Sequence, residues 1–500
     1  MFINVMTTYE RSNMRFPNTS QIQPTARRSF CLSALIAAAL VLGAAVPGLA
    51  RGEDKEGERP DLRTYIVVLD KDAVALRRDN DKAVNRKVTR ELTSTLVRGI
   101  AAESGLRPRA ILANLGMFVV DATPEQAEKL AARREVASVS EDAPAEPSAL
   151  PSCFNPTSFP LANSYNPTSP QPISCWDPQL SCTDSWALDR IDQHTGNQST
   201  HTLDSKFYFG ARGSGVHIYV VDTGIAPAHS EFANPAGGTR IGNGINIATY
   251  NMCVYGGGCG DGGSWDTTDG SGHGTLVASV AAGLRFGVAK SATIHPVRVS
   301  KSSGGSFSSW VALGLDWVAG NALRPAVVNL SWNFPVDSPT DPPAALDEAA
   351  SRLINNYGIA VVNSAGNHRE DAIRYSPTRV PEVIVVGGLD WNNYLYGAGG
   401  PPCPGLNDEC GSDFGPSVDL FAPAVDVLGA MNDAFHSWAC IGTGTSYAAP
   451  VVTGVVAQYL QSNPLATPAT IQAVLIGKAT TGAILGNLNF SPNRIVYTDF

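Results

Sequence analysis

From about residue 181 onward, two apolar patterns alternate along the chain. Short unbroken runs recur at Val216 to Val221, Ala326 to Leu330, Ile359 to Val362 and Val383 to Val386. Each is strand-length and rich in Val and Ile, which predicts strands buried on both faces. Between them lie stretches with helical spacing, Ser309 to Val318 and Ala344 to Asn355. Such alternation predicts an α/β fold, a parallel sheet with helices on both faces. Sites in such sheets gather at the carboxyl ends of the strands.

The preceding chain reads differently. Arg27-Arg28-Ser29-Phe30 leads into the apolar run Leu32 to Val46 and then Pro47-Gly48-Leu49-Ala50. A charged start, an apolar core and small residues make 1–50 a signal peptide and the chain a secreted one. Ordinary and twin-arginine export both stay open. Residues 51–149 form a second segment, in which 63–142 read as a small α/β unit. Thr64 to Leu69 and Met117 to Val120 are β-rich, and Thr123-Pro124-Glu125-Gln126 opens a helix with Thr as N-cap, Pro at N1 and Gln at N3. Ala127, Leu130 and Ala131 share one face of it. This unit holds no Cys and no His, so it predicts a folding or inhibitory role. Residues 150–180 are rich in Cys, Pro, Ser and Asn and mark an irregular extension. Residues 181–500 are the main domain.

Composition narrows the function. A formal charge of -9 disfavours nucleic acid as a partner, and once the signal is removed no membrane association is expected. With 48 Gly and 34 Pro, the chain reads as a loop-rich enzyme rather than a bundle. Of its nine cysteines, Cys31 lies in the signal and the other eight all follow residue 150. An even set in an exported chain predicts disulfides. Cys253/Cys259 and Cys403/Cys410 are local candidates, and the pairing of Cys153, Cys175, Cys182 and Cys440 stays open.

Three segments carry the chemistry. Asp222 ends a buried apolar run and precedes Thr223-Gly224. His273 sits in Asp269-Gly270-Ser271-Gly272-His273-Gly274-Thr275 before an apolar helix. Ser446 sits in Gly444-Thr445-Ser446 at the head of another, Val451 to Leu460. Alone, each has a plain structural reading as a capping Asp, a loop His or an N-cap Ser. Together they supply a nucleophile, a base and a carboxylate that orients the base, in one of the known triad orders. Asn367, in Asn363-Ser364-Ala365-Gly366-Asn367, adds an amide donor for an oxyanion.

Asp222-Thr223-Gly224, His273-Gly274-Thr275, Ala365-Gly366-Asn367 and Gly444-Thr445-Ser446 resemble the subtilase family, most closely its proteinase K-like branch. So do Val297-Arg298-Val299, Gly304-Gly305-Ser306, Gly314-Leu315-Asp316-Trp317-Val318 and Tyr375-Ser376-Pro377. The resemblance implies a subtilisin-like catalytic domain preceded by a small α+β, ferredoxin-like inhibitory propeptide, cut off near Ala149-Leu150 by the enzyme itself. It also implies a secreted, monomeric serine endopeptidase acting on proteins and peptides. Asp222, His273 and Ser446 would form the triad, and Asn367 with the Ser446 N–H the oxyanion hole. Gly304, Gly305, Ser306, Leu330, Ser331 and Trp332 would flank substrate as extended strands, with Ala365 and Gly366 bordering the P1 pocket. A structural calcium would use Asp419 and the carbonyls of Pro381 and Val383. The absence of acidic residues on the substrate strands favours broad cleavage after apolar or aromatic P1 residues.

Departures from the family pattern are Tyr447 for a usual Met, Asn333 for a usual Gly, and Leu276 for a frequent second His. The competing readings are a catalytically silent binding or scaffold protein and a narrow processing protease.

Overall fold

The computed structural model describes residues 61–74, 82–145, 180–182, 185–196, 203, 206–248, 266–302, 304–336, 338, 344–398, 410–432 and 439–500. The signal segment, most of the Cys-rich extension, and Cys153, Cys175, Cys253, Cys259 and Cys403 lie outside these residues. Cys410 and Cys440 are disulfide-bonded.

The N-terminal unit runs β1 (Arg63–Leu69), α1 (Lys82–Glu103), β2 (Pro108–Leu112), β3 (Met117–Ala122), α2 (Pro124–Ala131) and β4 (Val136–Glu141). Its sheet has the order β2-β3-β1-β4, with antiparallel neighbours. This is the split β-α-β arrangement expected of a ferredoxin-like unit. The Thr123–Gln126 capping box forms as predicted. Because side chains alternate across a strand, Tyr65, Val67 and Leu69 pack under α1 and α2 with Val97, Ile100 and Leu130. Ile66 and Val68 face the other way, into the core of the large domain.

That domain is built on a nine-stranded sheet among the described residues. We label β5 (Pro144–Ala145), β6 (His217–Asp222), α3 (His273–Ala282), β7 (Thr293–Arg298), β8 (Ser306–Phe307), α4 (Ser308–Asn321), β9 (Ala326–Leu330), α5 (Ala345–Tyr357), β10 (Ala360–Ser364), β11 (Ile384–Leu389), β12 (Leu420–Pro423), α6 (Thr445–Ser462) and α7 (Pro468–Lys478). The central order is β12-β11-β10-β9-β6-β7, all parallel. Thr480–Thr481 adds the antiparallel edge that the sequence did not predict, pairing with Arg494–Ile495. Ile218 and Val220 face the helices α3 and α6. Tyr219 and Val221 face α4 and α5 on the opposite side. The sheet is therefore covered on both faces, and the N-terminal unit lies over α4 and α5.

Polar contacts fix that docking. Arg352 on α5 donates to three main-chain carbonyls of the N-terminal unit: Leu69 at 2.7 Å, Leu115 at 2.8 Å and Gly116 at 3.3 Å. Asp316 on α4 accepts the N–H groups of Asn114 and Leu115, both at 2.8 Å. Asp142 caps α4 in return, accepting from Ser309 N at 2.8 Å, Ser308 Oγ at 2.9 Å and Ser309 Oγ at 2.7 Å. A carboxylate at a helix N-terminus satisfies N–H groups that the helix leaves unpaired.

Candidate active site

Each predicted catalytic residue sits where an element ends or begins. Asp222 is the last residue of β6 and His273 the first of α3. Gly274 lets the two approach, because a Cβ there would collide with the Gly224 carbonyl. His273 Nδ1 lies 2.7 Å from Asp222 Oδ1, and both side chains are fully buried. Asp222 Oδ1 also accepts the Thr223 N–H at 2.7 Å. A buried carboxylate with these partners holds one imidazole nitrogen and fixes the orientation of the ring.

Sequence reasoning quoted Asp269 without giving it a role. Its carboxylate accepts from Thr223 Oγ1, the N–H groups of Ser271, Gly272 and Thr275, and Thr275 Oγ1, at 2.6 to 2.9 Å. Asp269 thus ties the head of α3 to the end of β6, holding His273 against Asp222. The signal was an Asp four residues before His273, beside glycines.

Ser446 is the second residue of α6. α6 packs against α3 in one core, and the ring of Tyr447 lies 5.6 Å from that of His273. Pro450, inside the helix, has no N–H to give the Ser446 carbonyl. Ser331 Oγ donates to that carbonyl instead, at 3.3 Å. This contact brings the segment after β9 to Ser446.

Asn367 follows β10 by three residues and is buried. Its Oδ1 accepts from Thr445 N and Thr445 Oγ1, both at 2.8 Å. Its Nδ2 is buried with no hydrogen-bond partner. A buried donor left unpaired is costly, and one beside the nucleophile is suited to charge that develops only during reaction.

The predicted substrate strands differ from one another. Gly304-Gly305-Ser306 meets the chain's own residues: β8 pairs antiparallel with β5, Ser306 opposite Ala145. In the segment Leu330-Ser331-Trp332, Leu330 belongs to β9 and Trp332 is fully buried, its Nε1 donating to Val221 O at 3.0 Å. Ala365 and Gly366 precede Asn367, and Gly366 N donates to Thr445 Oγ1 at 3.2 Å.

Asp419 lies apart from this cluster. Its Oδ1 and the Pro381 carbonyl both accept from Gln472 Nε2 at 3.1 Å, and its Oδ2 accepts Val385 N–H at 2.9 Å. Burial pushes the Asp419 carboxyl up to about 6. These oxygens are the hard donors calcium takes, and Asp419 Oδ1 and the Pro381 carbonyl converge on the Gln472 amide. Among the described residues no group of three or more His, Cys, Asp or Glu side chains could hold a metal.

The sequence profile of the subtilase family, Peptidase S8, matches residues 213–492. This chain belongs to the subtilase family. The subtilase is 39% identical over 316 residues to an extracellular serine proteinase of Thermus sp. (strain Rt41A), covering 63% of this chain and 66% of the relative. It is 34% identical over 325 residues to a cuticle-degrading serine protease of Arthrobotrys oligospora (64% and 69%). It is 33% identical over 313 residues to alkaline serine exoprotease A of Vibrio alginolyticus (63% and 50%). The crystal structure of a cold adapted subtilisin-like serine proteinase superposes with a TM-score of 0.52 at 32% identity, covering 63% of this subtilase and 98% of that chain. Among the described residues no helix is long and apolar enough to cross a membrane.

Proposed function

We propose that this subtilase is a secreted serine endopeptidase, made as a zymogen that processes itself. The observation that carries the reading is the join of three parts: the buried Asp222–His273 pair, Ser446 at the head of α6, and the unpartnered Asn367 Nδ2 beside it. In this reading His273 takes the Ser446 proton as Oγ attacks the peptide carbonyl. The oxyanion is held by Asn367 Nδ2 and the Ser446 N–H. His273 then protonates the departing amine, leaving an acyl-enzyme. Water, deprotonated by the same His273, releases the acid and restores Ser446.

Residues 51–149 act as the inhibitory propeptide. The pairing of Pro144–Ala145 with Ser306–Phe307 supports this. An antiparallel partner on that edge is how a peptide substrate would bind, and here the chain supplies it just upstream of residue 149. A structural calcium held by Asp419 and the Pro381 and Val383 carbonyls belongs to the proposal. It would act on stability, by joining the residue before β12 to the loop before β11. Secretion is supported by the signal-like segment and by relatives named extracellular.

A serine-directed fluorophosphonate tests the enzymatic reading. The mature protein should take up one equivalent on Ser446. A folded protein that takes up none is the scaffold protein instead.

A further inference from the structure

Two chain segments leave the sheet side by side next to the nucleophile. Leu330 pairs with Asn363 at the carboxyl edge of β9 and β10. One segment continues Ser331-Trp332-Asn333, the other Ser364-Ala365-Gly366-Asn367. The first touches the Ser446 main chain through Ser331, and the second ends at the oxyanion donor. A peptide carbonyl placed with its oxygen at Asn367 Nδ2 therefore drops its own side chain, the P1 side chain, into the crevice between the segments. Trp332 is turned away into the core, and Ala365 and Gly366 are small.

Asn333 is 8% exposed. Its Nδ2 donates to Ser364 Oγ at 3.2 Å and its Oδ1 accepts from Asn363 Nδ2 at 3.2 Å; with the amide turned over, the nitrogen donates instead to Ser364 O at 3.0 Å and Trp332 O at 3.3 Å. In that turned orientation the oxygen accepts from Ser364 Oγ at 3.2 Å and shares the Gly366 N–H, at 3.3 Å, with Thr445 Oγ1. The side chain thus spans from one wall to the other. A Cβ built on Gly366 would lie 3.6 Å from the Asn333 amide, so the bridge crosses directly over the wall predicted to border P1.

We infer that Asn333 is a specificity-determining residue. It bridges and shortens the crevice that receives the P1 side chain, so a short P1 residue such as Ala is cleaved in preference to an aromatic one. The inference rests on the serine endopeptidase reading and narrows the apolar-or-aromatic expectation drawn from sequence. A P1 ring entering the crevice would displace the amide and break its hydrogen bonds to the facing segment, which is how a site rejects a competing side chain. A methyl group makes no such demand.

The test compares kcat/KM for acyl-Ala-Ala-Pro-X anilides, with X as Ala, Leu or Phe, on wild type, Asn333→Gly and Asn333→Ala. Rates are normalised to sites titrated with the fluorophosphonate. Wild type should favour Ala over Phe by at least about tenfold, within the range that pocket contacts supply. Both variants should move the Phe/Ala ratio at least about tenfold toward Phe, with Ala changing by less than about threefold. A wild type that already prefers Phe overturns the inference, as does a ratio unmoved in both variants, while the endopeptidase reading survives. Absence of titratable sites in wild type overturns both.

Discussion

Thr445 holds Asn367 with two hydrogen bonds, its main-chain N–H and its hydroxyl both donating to Asn367 Oδ1 at 2.8 Å. An amide so pinned can present only Nδ2 to the nucleophile, so the neighbour of Ser446 aims the donor as well as opening its helix. Asn367→Ala should lower kcat by about 100- to 1,000-fold with KM little changed, the magnitude known from subtilisin itself for one oxyanion donor. Steady-state kinetics on titrated enzyme check this. A loss expressed wholly in KM would assign Asn367 to ground-state binding.

Burial pushes the Asp316 carboxyl up to about 6 where it receives the Asn114 and Leu115 N–H groups. Its docked value exceeds its undocked value, so docking takes up a proton between the two. The N-terminal unit should therefore hold most tightly below pH 4, loosen as pH rises toward 6, and change no further above it through this group. Hydrogen exchange at the 113–116 turn in the Ser446→Ala precursor should show protection falling over that window. Asp316→Asn should flatten the dependence.

Gln472 stands between the Pro381 carbonyl and Asp419. If calcium competes for those oxygens, millimolar calcium should raise Tm and EDTA should lower it, with a larger calcium-dependent shift in Gln472→Ala. Equal melting curves with calcium and EDTA in both proteins would remove calcium from the account.

Tyr447 is fully buried beside Ser446. Tyrosine cannot form a sulfoxide, so activity should outlast that of a Met-bearing relative in mild peroxide. The half-lives of the two enzymes in peroxide compare them directly.

The proposed catalytic residues were legible because chemistry demands particular side chains in particular local settings. Asp222 at a strand end and His273 and Ser446 at helix starts carry their context within a few positions. The four central strands were legible from continuous Val and Ile, with Ala326–Leu330 matching at both ends and the ends of the others moving by one to three residues. α1 was not, because the positions it buries between 87 and 103 include Thr89 and Thr93 beside Val97, Ile100 and Ala101, which dilutes its apolar stripe. Gln472, Arg352 and Thr445 were equally hidden. Each acts on a residue at least 50 positions away or through a main-chain atom, and neither leaves a periodic mark. Asn333 was visible as a departure, yet its bridge to Ser364 and Gly366 exists only once β9 and β10 lie side by side.

The central claim is that Ser446, activated by His273 and Asp222, cuts peptide bonds, beginning with the chain's own. The most direct measurement expresses the precursor and its Ser446→Ala variant under oxidising conditions and follows mass and N-terminal sequence over time. The account predicts that wild type alone shortens near residue 150 and then hydrolyses a peptide anilide, while the variant stays full length. Equal shortening of both proteins would contradict self-processing. A wild type that stays intact and reacts with no serine reagent would contradict the catalytic claim itself.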